Sequence, residues 1–378
     1  MKLLLAGGGT GGHLFPAVAL AQRLIETEED SEVLFVGTKR GIEARVIPEL
    51  GLPLETIDIS GFVGKGWAGK LTFGPRLAIS VRQSLAILER FRPDVVVGVG
   101  GYASAPVLAA AKMRGYPVLI HEQNAWPGLT NRCFARWADR VCLSFADADR
   151  AFHHGRTVVT GNPLRQGMDE CPPIPRENPL LLVFGGSLGA RAINEAMVET
   201  LPLLEPLKGE LTILHQSGPK ELERVREGYR NAGWDPEGVV PFIEDMAQAY
   251  ARSHLVVCRA GATTVAELTS CGRPAIMIPY PHAAGDHQTT NANALARRGA
   301  ALLLPQADLT AELLVRLVSD LFRDRERLLA MAGVARSLGR KGAVDLVLKE
   351  CRIIARPRRQ SGSTGNDKSK NNPPLRAI

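Results

Sequence analysis

The chain alternates short, nearly continuous apolar runs with longer segments whose apolar positions recur at helical spacing. The short runs are rich in Val, Leu and Ile, as is typical of parallel strands covered on both faces. In the longer segment Pro75–Phe91, by contrast, Leu77, Val81, Leu85 and Leu88 fall on one helical stripe. The strands predicted in the first half are Lys2–Ala6, Glu32–Val36, Asp94–Gly98, Pro117–His121 and Arg140–Leu143. This βαβα alternation predicts an α/β fold with doubly wound parallel sheets.

The same alternation restarts after residues 170–179, where four prolines predict a linker or domain edge. Leu3–His13 and Leu180–Ala190 each join a strand to a shared Gly-Gly-[Thr/Ser]-x-Gly turn. We therefore predict two Rossmann-like domains that face each other, with a chance match of two glycine-rich turns as the alternative. The further predicted strands are Leu180–Phe184, Glu210–His215, His254–Cys258 and Pro274–Ile278, and the closing helices are Ala311–Leu321, Asp324–Ser337 and Ala343–Ile354.

Composition narrows the class of protein. Residues 356–378 carry six basic residues and one acid, so most of the net charge of +7 lies in a tail that we expect to be disordered. The nearly neutral remainder gives no reason to expect a nucleic-acid partner. The six cysteines form no CxxC pair, which predicts free thiols in a reducing compartment. Without an apolar run of about 18 residues, an integral membrane protein is excluded.

The first glycine-rich turn, Gly7–Gly12, follows a strand and opens a helix. Glycines there let backbone N–H groups approach an anion, and the helix N-terminus adds favourable potential. The spacing is not that of a GxxxxGK[ST] loop, so an ATPase of that type is not expected. His13 follows directly and is either a general base or a brace for the loop.

Further along, Gly185–Arg191 predicts a phosphate site with Ser187 as a ligand. Arg165 could add a fixed positive charge for a diphosphate, or lie solvated at the surface. In Arg259–Glu267, the acid Glu267 could accept hydrogen bonds from a ribose diol or complement the helix dipole.

Two other features carry weaker alternatives. Asp286-His287-Gln288 opens an amide-rich stretch that suits a sugar, although Asp286 could simply cap a helix. Asp147-Ala148-Asp149 has the form of a metal-binding DxD, but a helix start is the simpler interpretation, and we expect no metal or cofactor.

Two stretches hold no acid, Ile59–Leu88 and Gln123–Ala138. Both mix aromatic and aliphatic residues with basic ones, as on the surface of an anionic membrane, although much of each must be core. We predict membrane contact mainly in the first stretch, at Trp67, Lys70, Leu71, Phe73 and Leu77.

Taken together, these motifs resemble the MurG family, the UDP-N-acetylglucosamine:lipid I N-acetylglucosaminyltransferases of bacterial peptidoglycan synthesis. They occur in family order from residue 2 to about 300. The matching segments are Gly8–His13, Gly98–Tyr102, His121–Asn124, Gly161–Arg165, Gly185–Arg191, Pro241–Met246, Arg259–Glu267 and Asp286–Gln288.

The resemblance implies the GT-B fold and a set of site residues. His13 would be the catalytic base, and the acceptor loop would be Gly100, Gly101 and Tyr102. Thr10, Gly11 and Gly12 would line the nucleotide-sugar site and face the acceptor diphosphate. The remaining donor-binding residues would be Asn124, Arg165, Ser187, Ile243, Ala262, Thr263, Thr264, Val265, Ala266, Glu267 and Gln288.

The resemblance also implies the reaction and its partners. The C4 hydroxyl of undecaprenyl-pyrophosphoryl-MurNAc-pentapeptide would attack C1 of GlcNAc in UDP-GlcNAc, with inversion. The enzyme would lie peripherally on the cytoplasmic face of the bacterial inner membrane, with an anionic membrane surface and other cell-wall synthesis proteins as partners. Its domains would be residues 1–162 for the acceptor and membrane, 163–340 for the donor, a helix at 341–355 packing back on the first domain, and the basic tail 356–378.

Two other functions use the same residues. A UDP-GlcNAc 2-epimerase also has tandem Rossmann-like domains, and it would convert UDP-GlcNAc alone to the mannosamine epimer. A non-catalytic scaffold would bind UDP without transferring sugar, but an intact His13 argues against it.

Overall fold

The computed structural model describes residues 1–59, 73–152, 156–186 and 188–355. Several predicted features lie outside these ranges, namely Trp67, Lys70, Leu71, Ser187 and the tail 356–378. The side chain of Phe73 also lies outside the described part of the chain.

The first lobe is built on a seven-stranded sheet whose strands are all parallel. The strand order is β3-β2-β1-β4-β5-β6-β7, so successive strands are added first on one side of β1 and then, from β4 onward, on the other. This order is the doubly wound arrangement, which places ligand sites at the carboxyl ends of the strands near the point where the side changes. The strands are β1 (Lys2–Gly7), β2 (Glu32–Gly37), β3 (Leu54–Thr56), β4 (Val95–Gly100), β5 (Val118–Glu122), β6 (Arg140–Leu143) and β7 (Thr157–Val159).

The second lobe repeats this plan with six parallel strands in the order β10-β9-β8-β11-β12-β13. Its central strand β8 starts the lobe just as β1 starts the first one. The predicted fold class is therefore confirmed, including the likeness between the two halves. The strands are β8 (Leu180–Phe184), β9 (Thr212–Gln216), β10 (Val239–Val240), β11 (Leu255–Cys258), β12 (Ala275–Met277) and β13 (Ala301–Leu303).

Thirteen α-helices lie within the described ranges and cover the sheets on both faces. Apolar strand residues are buried on both sides, which accounts for their continuous rather than alternating hydrophobic pattern. The helices are α1 (Gly11–Thr27), α2 (Glu43–Glu49), α3 (Phe73–Phe91), α4 (Ser104–Met113), α5 (Leu129–Ala135), α6 (Arg191–Thr200), α7 (Leu222–Asn231), α8 (Met246–Arg252), α9 (Ala262–Cys271), α10 (His287–Ala296), α11 (Ala311–Arg323), α12 (Arg325–Leu338) and α13 (Ala343–Ile354).

The last helix, α13, belongs to the core of the first lobe although it follows the second in sequence. Its residues Val347, Leu348 and Cys351 are buried in the cluster that contains Leu3 and Leu5 of β1. At its edge the guanidinium Nε of Arg140 donates to the carboxylate of Glu350 at 2.9 Å. The chain therefore crosses between the lobes twice, before β8 and again after α12.

Cys171 and Cys271 form a disulfide in the structure, with their Cα atoms 4.8 Å apart. The expectation that every cysteine is a free thiol is therefore wrong for this pair. The sequence could not indicate the pairing, because the two residues are 100 positions apart. The bond ties the segment after the first crossing to the end of α9.

No helix in the described ranges is long and apolar enough to span a bilayer.

Candidate active site

The glycine-rich turn of the first lobe is held from below by a buried carboxylate. Glu43, at the start of α2, accepts hydrogen bonds from the backbone N–H of Gly9 at 2.8 Å and of Thr38 at 2.9 Å. The Thr38 hydroxyl donates to the same carboxylate at 2.9 Å. A Cβ on Gly8 would lie 2.4 Å from the Glu43 carboxyl carbon, so only glycine fits there. The carboxylate thus fixes the loop in which the predicted ligands Thr10, Gly11 and Gly12 stand.

A second glycine turn, at the end of β4, packs directly against the first. A Cβ on Gly101 would lie 2.6 Å from the carbonyl oxygen of Gly8, which forbids any side chain. A Cβ on Gly100 would lie 3.2 Å from Nε2 of His13. Glycine at position 100 therefore leaves the space beside this nitrogen open. The predicted acceptor residues and the predicted base are brought together here.

His13 is half-buried in the first turn of α1, and its Nδ1 lies 3.1 Å from the hydroxyl oxygen of Thr10. If Nδ1 carries the proton, it donates a hydrogen bond to the hydroxyl oxygen, and Nε2 keeps its lone pair for a substrate. The pKa of His13 is lowered to about 4, chiefly by burial and secondly by the nearby His287, while Glu43 opposes both effects. At neutral pH the imidazole is therefore unprotonated, which is the state that a general base needs.

The two lobes meet at a hydrogen-bonded contact beside Asn124. Its backbone N–H and side-chain amide both donate to the buried carboxylate of Glu122, at 2.9 and 3.2 Å. From the other lobe, Asn291 on α10 donates to the Asn124 side-chain oxygen at 3.3 Å. The Asn291 side-chain oxygen also accepts from the backbone N–H of Ala125 at 3.0 Å. Asn124 is thereby fixed at the cleft.

A cavity of about 230 Å³, here called the donor cavity, lies in the cleft between the lobes. Gly11, Gly12 and Phe15 of α1 form one wall, and the first turn of α9 forms the other. The N-terminus of this ten-residue helix thus borders the cavity, where its dipole favours an anion. The remaining lining residues are Arg165, Phe184, Gly186, Gln216, Phe242, Met246, Gly261 and Glu267.

Three side chains that line the donor cavity carry buried polar atoms with no hydrogen-bond partner among the described residues. They are Nε of Arg165, the hydroxyl of Thr263 and Oε1 of Glu267. The Arg165 guanidinium stacks on Phe15, with its carbon 4.7 Å from the ring centre, and lies 3.6 Å from Glu267. A cation, a hydroxyl and a carboxylate therefore converge on one space and are available to a ligand.

Glu267 is almost wholly buried on the inner face of α9, where Tyr250 donates to its Oε2 at 3.1 Å. Burial raises the pKa of its carboxyl group, whereas Arg165 and the Tyr250 hydroxyl lower it. A residue placed only to complement the helix dipole would be solvated, so burial favours the ribose-binding alternative over that one.

Other predicted donor residues lie elsewhere. The side-chain oxygen of Gln288 accepts from the backbone N–H groups of Ala260 and Tyr280, at 3.2 and 3.0 Å. The backbone N–H of Ile243 donates to Gln216 at 2.7 Å, and it is the preceding Phe242 that lines the donor cavity. Val265 and Ala266, in contrast to their neighbours on α9, border a different cavity.

The DxD residues are engaged by other side chains. Asp147 lies 3.6 Å from the guanidinium groups of Arg150 and Arg298, and Asp149 accepts a hydrogen bond from Thr157. Within the described ranges, no group of three or more His, Cys, Asp or Glu side chains has the arrangement of a metal site.

Sequence reasoning missed Glu43, Phe15 and Asn291. Glu43 stands in a polar segment and looks like any surface acid, because burial of a charge has no local signature. Phe15 follows helical spacing like a core residue, and only the fold brings it under Arg165. Asn291 lay inside the amide-rich stretch, so the composition did point to its neighbourhood.

Paired Rossmann-like lobes around such a cleft are the GT-B fold, and the family matches identify the class as glycosyltransferase. The chain matches the glycosyltransferase family 28 N-terminal domain over residues 3–143 and the C-terminal domain of that family over residues 180–347. Together these matches span both lobes and leave out the first crossing and the tail.

Individual relatives narrow the family. A UDP-N-acetylglucosamine–N-acetylmuramyl-(pentapeptide) pyrophosphoryl-undecaprenol N-acetylglucosamine transferase of Syntrophotalea carbinolica is 64% identical over 94% of this chain and 99% of its own. A transferase of the same name from Myxococcus xanthus is 48% identical over 93% and 92%. The crystal structure of Acinetobacter baumannii MurG is 35% identical, covers 93% of this chain and 99% of its own, and superposes with a TM-score of 0.75. The chain belongs to the MurG family of glycosyltransferases, and the resemblance drawn from its motifs is confirmed.

Proposed function

We propose that the protein transfers GlcNAc from UDP-GlcNAc to the C4 hydroxyl of undecaprenyl-pyrophosphoryl-MurNAc-pentapeptide, with inversion at C1. The observation that carries this proposal is the arrangement across the cleft. A neutral histidine lies beside an open glycine turn of the first lobe, and Arg165, Thr263 and Glu267, each with an atom that lacks a hydrogen-bond partner in the described part of the chain, line the donor cavity. An inverting transferase needs a base on the acceptor side and an anion site on the donor side.

His13 supplies the base in this proposal. The acceptor C4 oxygen bonds to C1 of GlcNAc as its proton passes to Nε2 of His13, and the bond from C1 to the phosphate oxygen breaks. UDP leaves with the electron pair of that bond. Glycine at position 100 gives the acceptor access to Nε2, and Thr10 orients the ring through Nδ1.

The donor cavity supplies the anion site. The guanidinium of Arg165 and the N-terminus of α9 face the diphosphate, where negative charge builds up as UDP departs. The Oε1 of Glu267, which lies 3.6 Å from the Arg165 guanidinium and has no hydrogen-bond partner among the residues described, accepts from the ribose hydroxyls. Uracil lies toward Phe242, the lining residue that precedes Ile243.

The lipid-linked acceptor requires that the first lobe lie against the cytoplasmic face of the membrane. Around α5 the side chains of Trp126, Leu129 and Trp137 are 49%, 67% and 42% exposed. Arg132 and Arg136 lie over the two tryptophan rings, at 5.5 and 4.2 Å from their centres. Exposed tryptophan rings with arginine side chains stacked on them suit contact with the surface of an anionic membrane.

In the other acid-free stretch, Leu77 packs against the core of the first lobe, so the core alternative applies to this residue. Ile79 on the same helix is exposed and remains available for contact.

By feeding a lipid intermediate to cell-wall assembly, the enzyme would act with other cell-wall proteins in growth, cell shape and division.

Purified protein incubated with UDP-GlcNAc and a lipid I analogue tests the reaction. We expect labelled GlcNAc to move to the analogue and UDP to be released in equal amount. Conversion of UDP-GlcNAc to its mannosamine epimer without any acceptor would instead support the epimerase. Binding of UDP without transfer of sugar to the analogue would instead support the non-catalytic scaffold.

Sedimentation with liposomes containing phosphatidylglycerol tests the membrane face. We expect Trp126→Asp with Leu129→Asp to weaken liposome binding while turnover on a short-chain, water-soluble acceptor is retained. Leu203→Asp changes a similarly exposed leucine in the second lobe and serves as the control. Equal binding by both variants would refute this membrane face.

A further inference from the structure

A second and larger cavity, of about 430 Å³, lies where the chain crosses between the lobes. We call it the hinge cavity. One wall comes from the segments that follow β6 and β7, and the opposite wall comes from α9 and α10. The second crossing, at 337–340, completes the lining. The proposed reaction uses none of its polar groups.

The polar group most deeply placed in the hinge cavity is the side chain of Asn162. It is 3% exposed, and neither its Nδ2 nor its Oδ1 has a hydrogen-bond partner within the described ranges. The buried hydroxyl of Ser144 in the same lining also lacks one there. A buried amide whose donor and acceptor are both unused is costly unless a ligand engages it. Its adjacent donor and acceptor complement another amide.

The remaining lining adds charge and apolar surface. Arg298 and Arg340 bring two cations against the single acid Asp147, which lies 3.6 Å from Arg298. Leu164 and Leu295 provide apolar walls. The surplus of positive charge favours an anion, and the leucines favour a molecule with a small apolar group.

We propose that the hinge cavity binds a small carboxylate that also carries an amide, the chemical class of N-acylamino acids and short peptide ends. Asn162 pairs with the amide of the ligand, and Arg298 and Arg340 face its carboxylate. Leu164 and Leu295 pack against its side chain.

Helix α9 connects this cavity to the donor cavity. Thr263, Thr264 and Glu267 border the donor cavity, whereas Val265, Ala266 and Thr269 border the hinge cavity. Both cavities are lined by both lobes in this one arrangement of the lobes. A ligand that fills the hinge cavity therefore favours the arrangement in which the donor cavity is complete, and so raises the affinity for UDP. This coupling rests on the proposed donor site.

Ligand-observed NMR on the full chain, with N-acetylalanine as the probe, tests the site. Acetate and N-methylacetamide, which carry only the carboxylate or only the amide, separate the two contributions. We expect N-acetylalanine to bind more tightly than either. Asn162→Asp should weaken its binding about tenfold or more, because the amide donor is lost and a like charge faces the ligand.

Arg340→Gln is a second variant, at an exposed residue whose replacement spares the core. It should weaken N-acetylalanine and acetate alike and leave N-methylacetamide unchanged. Absence of N-acetylalanine binding to the wild type, or binding that neither variant alters, would overturn the proposed site and show that water alone satisfies Asn162.

Titration of UDP with and without saturating N-acetylalanine tests the coupling, which we expect to raise UDP affinity about fivefold. Unchanged UDP affinity would overturn the coupling alone. None of these measurements involves sugar transfer, so they can fail without affecting the proposed function. The proposed function fails only if no GlcNAc is transferred to the lipid I analogue.

Discussion

The two glycine turns that open the lobes share a sequence pattern but are held in different ways. In the first lobe the turn rests on a side chain, the buried carboxylate of Glu43. In the second lobe the support comes from the end of β9 and the segment after it, where the side chain is a neutral amide and a Cβ on Gly189 would lie 1.9 Å from the carbonyl oxygen of Ser217. The Gln216 amide also donates to the carbonyl of Gly186 at 2.8 Å.

This difference matches what each turn carries. The first turn ends in His13, whose pKa depends on the nearby Glu43 charge, so the support of the loop is also part of its electrostatics. Of the described residues of the second turn, Gly186 borders the donor cavity. In the proposed reaction, the first turn thus carries the group that accepts the proton, and the second turn borders the cavity that takes the diphosphate.

The largest effect is expected from His13→Ala. Turnover should fall about 10²-fold or more, because the base is lost, while UDP binding changes little. Transfer assays with a lipid I analogue and calorimetric titration of UDP measure the two quantities. His282→Ala, at an exposed histidine of the second lobe, is the control, and unchanged turnover in His13→Ala would remove His13 from the mechanism.

Placing one methyl group in each turn separates their roles. Gly101→Ala should lower turnover with UDP affinity retained, and Gly189→Ala should lower UDP affinity, since each methyl group overlaps a carbonyl oxygen. Strain of about 1–3 kcal/mol is expected in both. Gly333→Ala, where a Cβ meets nothing within 4 Å, is the control. The division of roles fails if both turn variants lose the same property.

Arg165→Gln tests whether the positive charge in the donor cavity binds the diphosphate of UDP. Loss of the guanidinium should weaken UDP binding about tenfold, because a charge-assisted contact to the diphosphate is removed. Uridine, which has no phosphate, should bind equally to both proteins. A parallel loss for uridine would show that Arg165 supports the fold rather than the diphosphate.

A further comparison concerns the pH dependence of stability and takes one buried histidine from each lobe. Burial lowers the pKa of His121 to about 4 and of His215 to about 3. Below pH 6.5 the unfolded chain takes up these protons and the folded one does not, so stability falls until the folded pKa is reached. Each histidine contributes a slope of about 1.4 kcal/mol per pH unit in this window.

Urea unfolding between pH 7 and pH 4 measures this dependence. Burial raises the pKa of Glu122, whose contribution has the opposite sign, so variants are compared with the wild type. His121→Asn and His215→Gln should each reduce the fall in stability toward low pH. A pH dependence identical to that of the wild type would show that the histidine concerned is not held unprotonated.

Much of the fold was predictable because it rests on local patterns. The continuous apolar runs at β1, β6 and β8 identified strands within a residue of their bounds, since strands buried on both faces must be apolar throughout. The four short edge strands β3, β7, β10 and β13 were missed, because two or three residues give no periodicity. Helix α1 begins at Gly11, inside the glycine-rich turn, where the glycines give no helical signal.

For the candidate site, the residue types and their order along the chain were determined by the sequence itself: glycine turns, His13, Arg165 and Glu267. Which of them share a space was decided by the tertiary structure. Arg165 lies over Phe15 and beside Glu267 only because the crossing segment, α1 and α9 meet in the cleft. Likewise, α9 divides its residues between two cavities, and Glu43 reaches Gly9 across 34 positions. Burial and long-range contact have no local pattern, because they depend on the packing of whole elements.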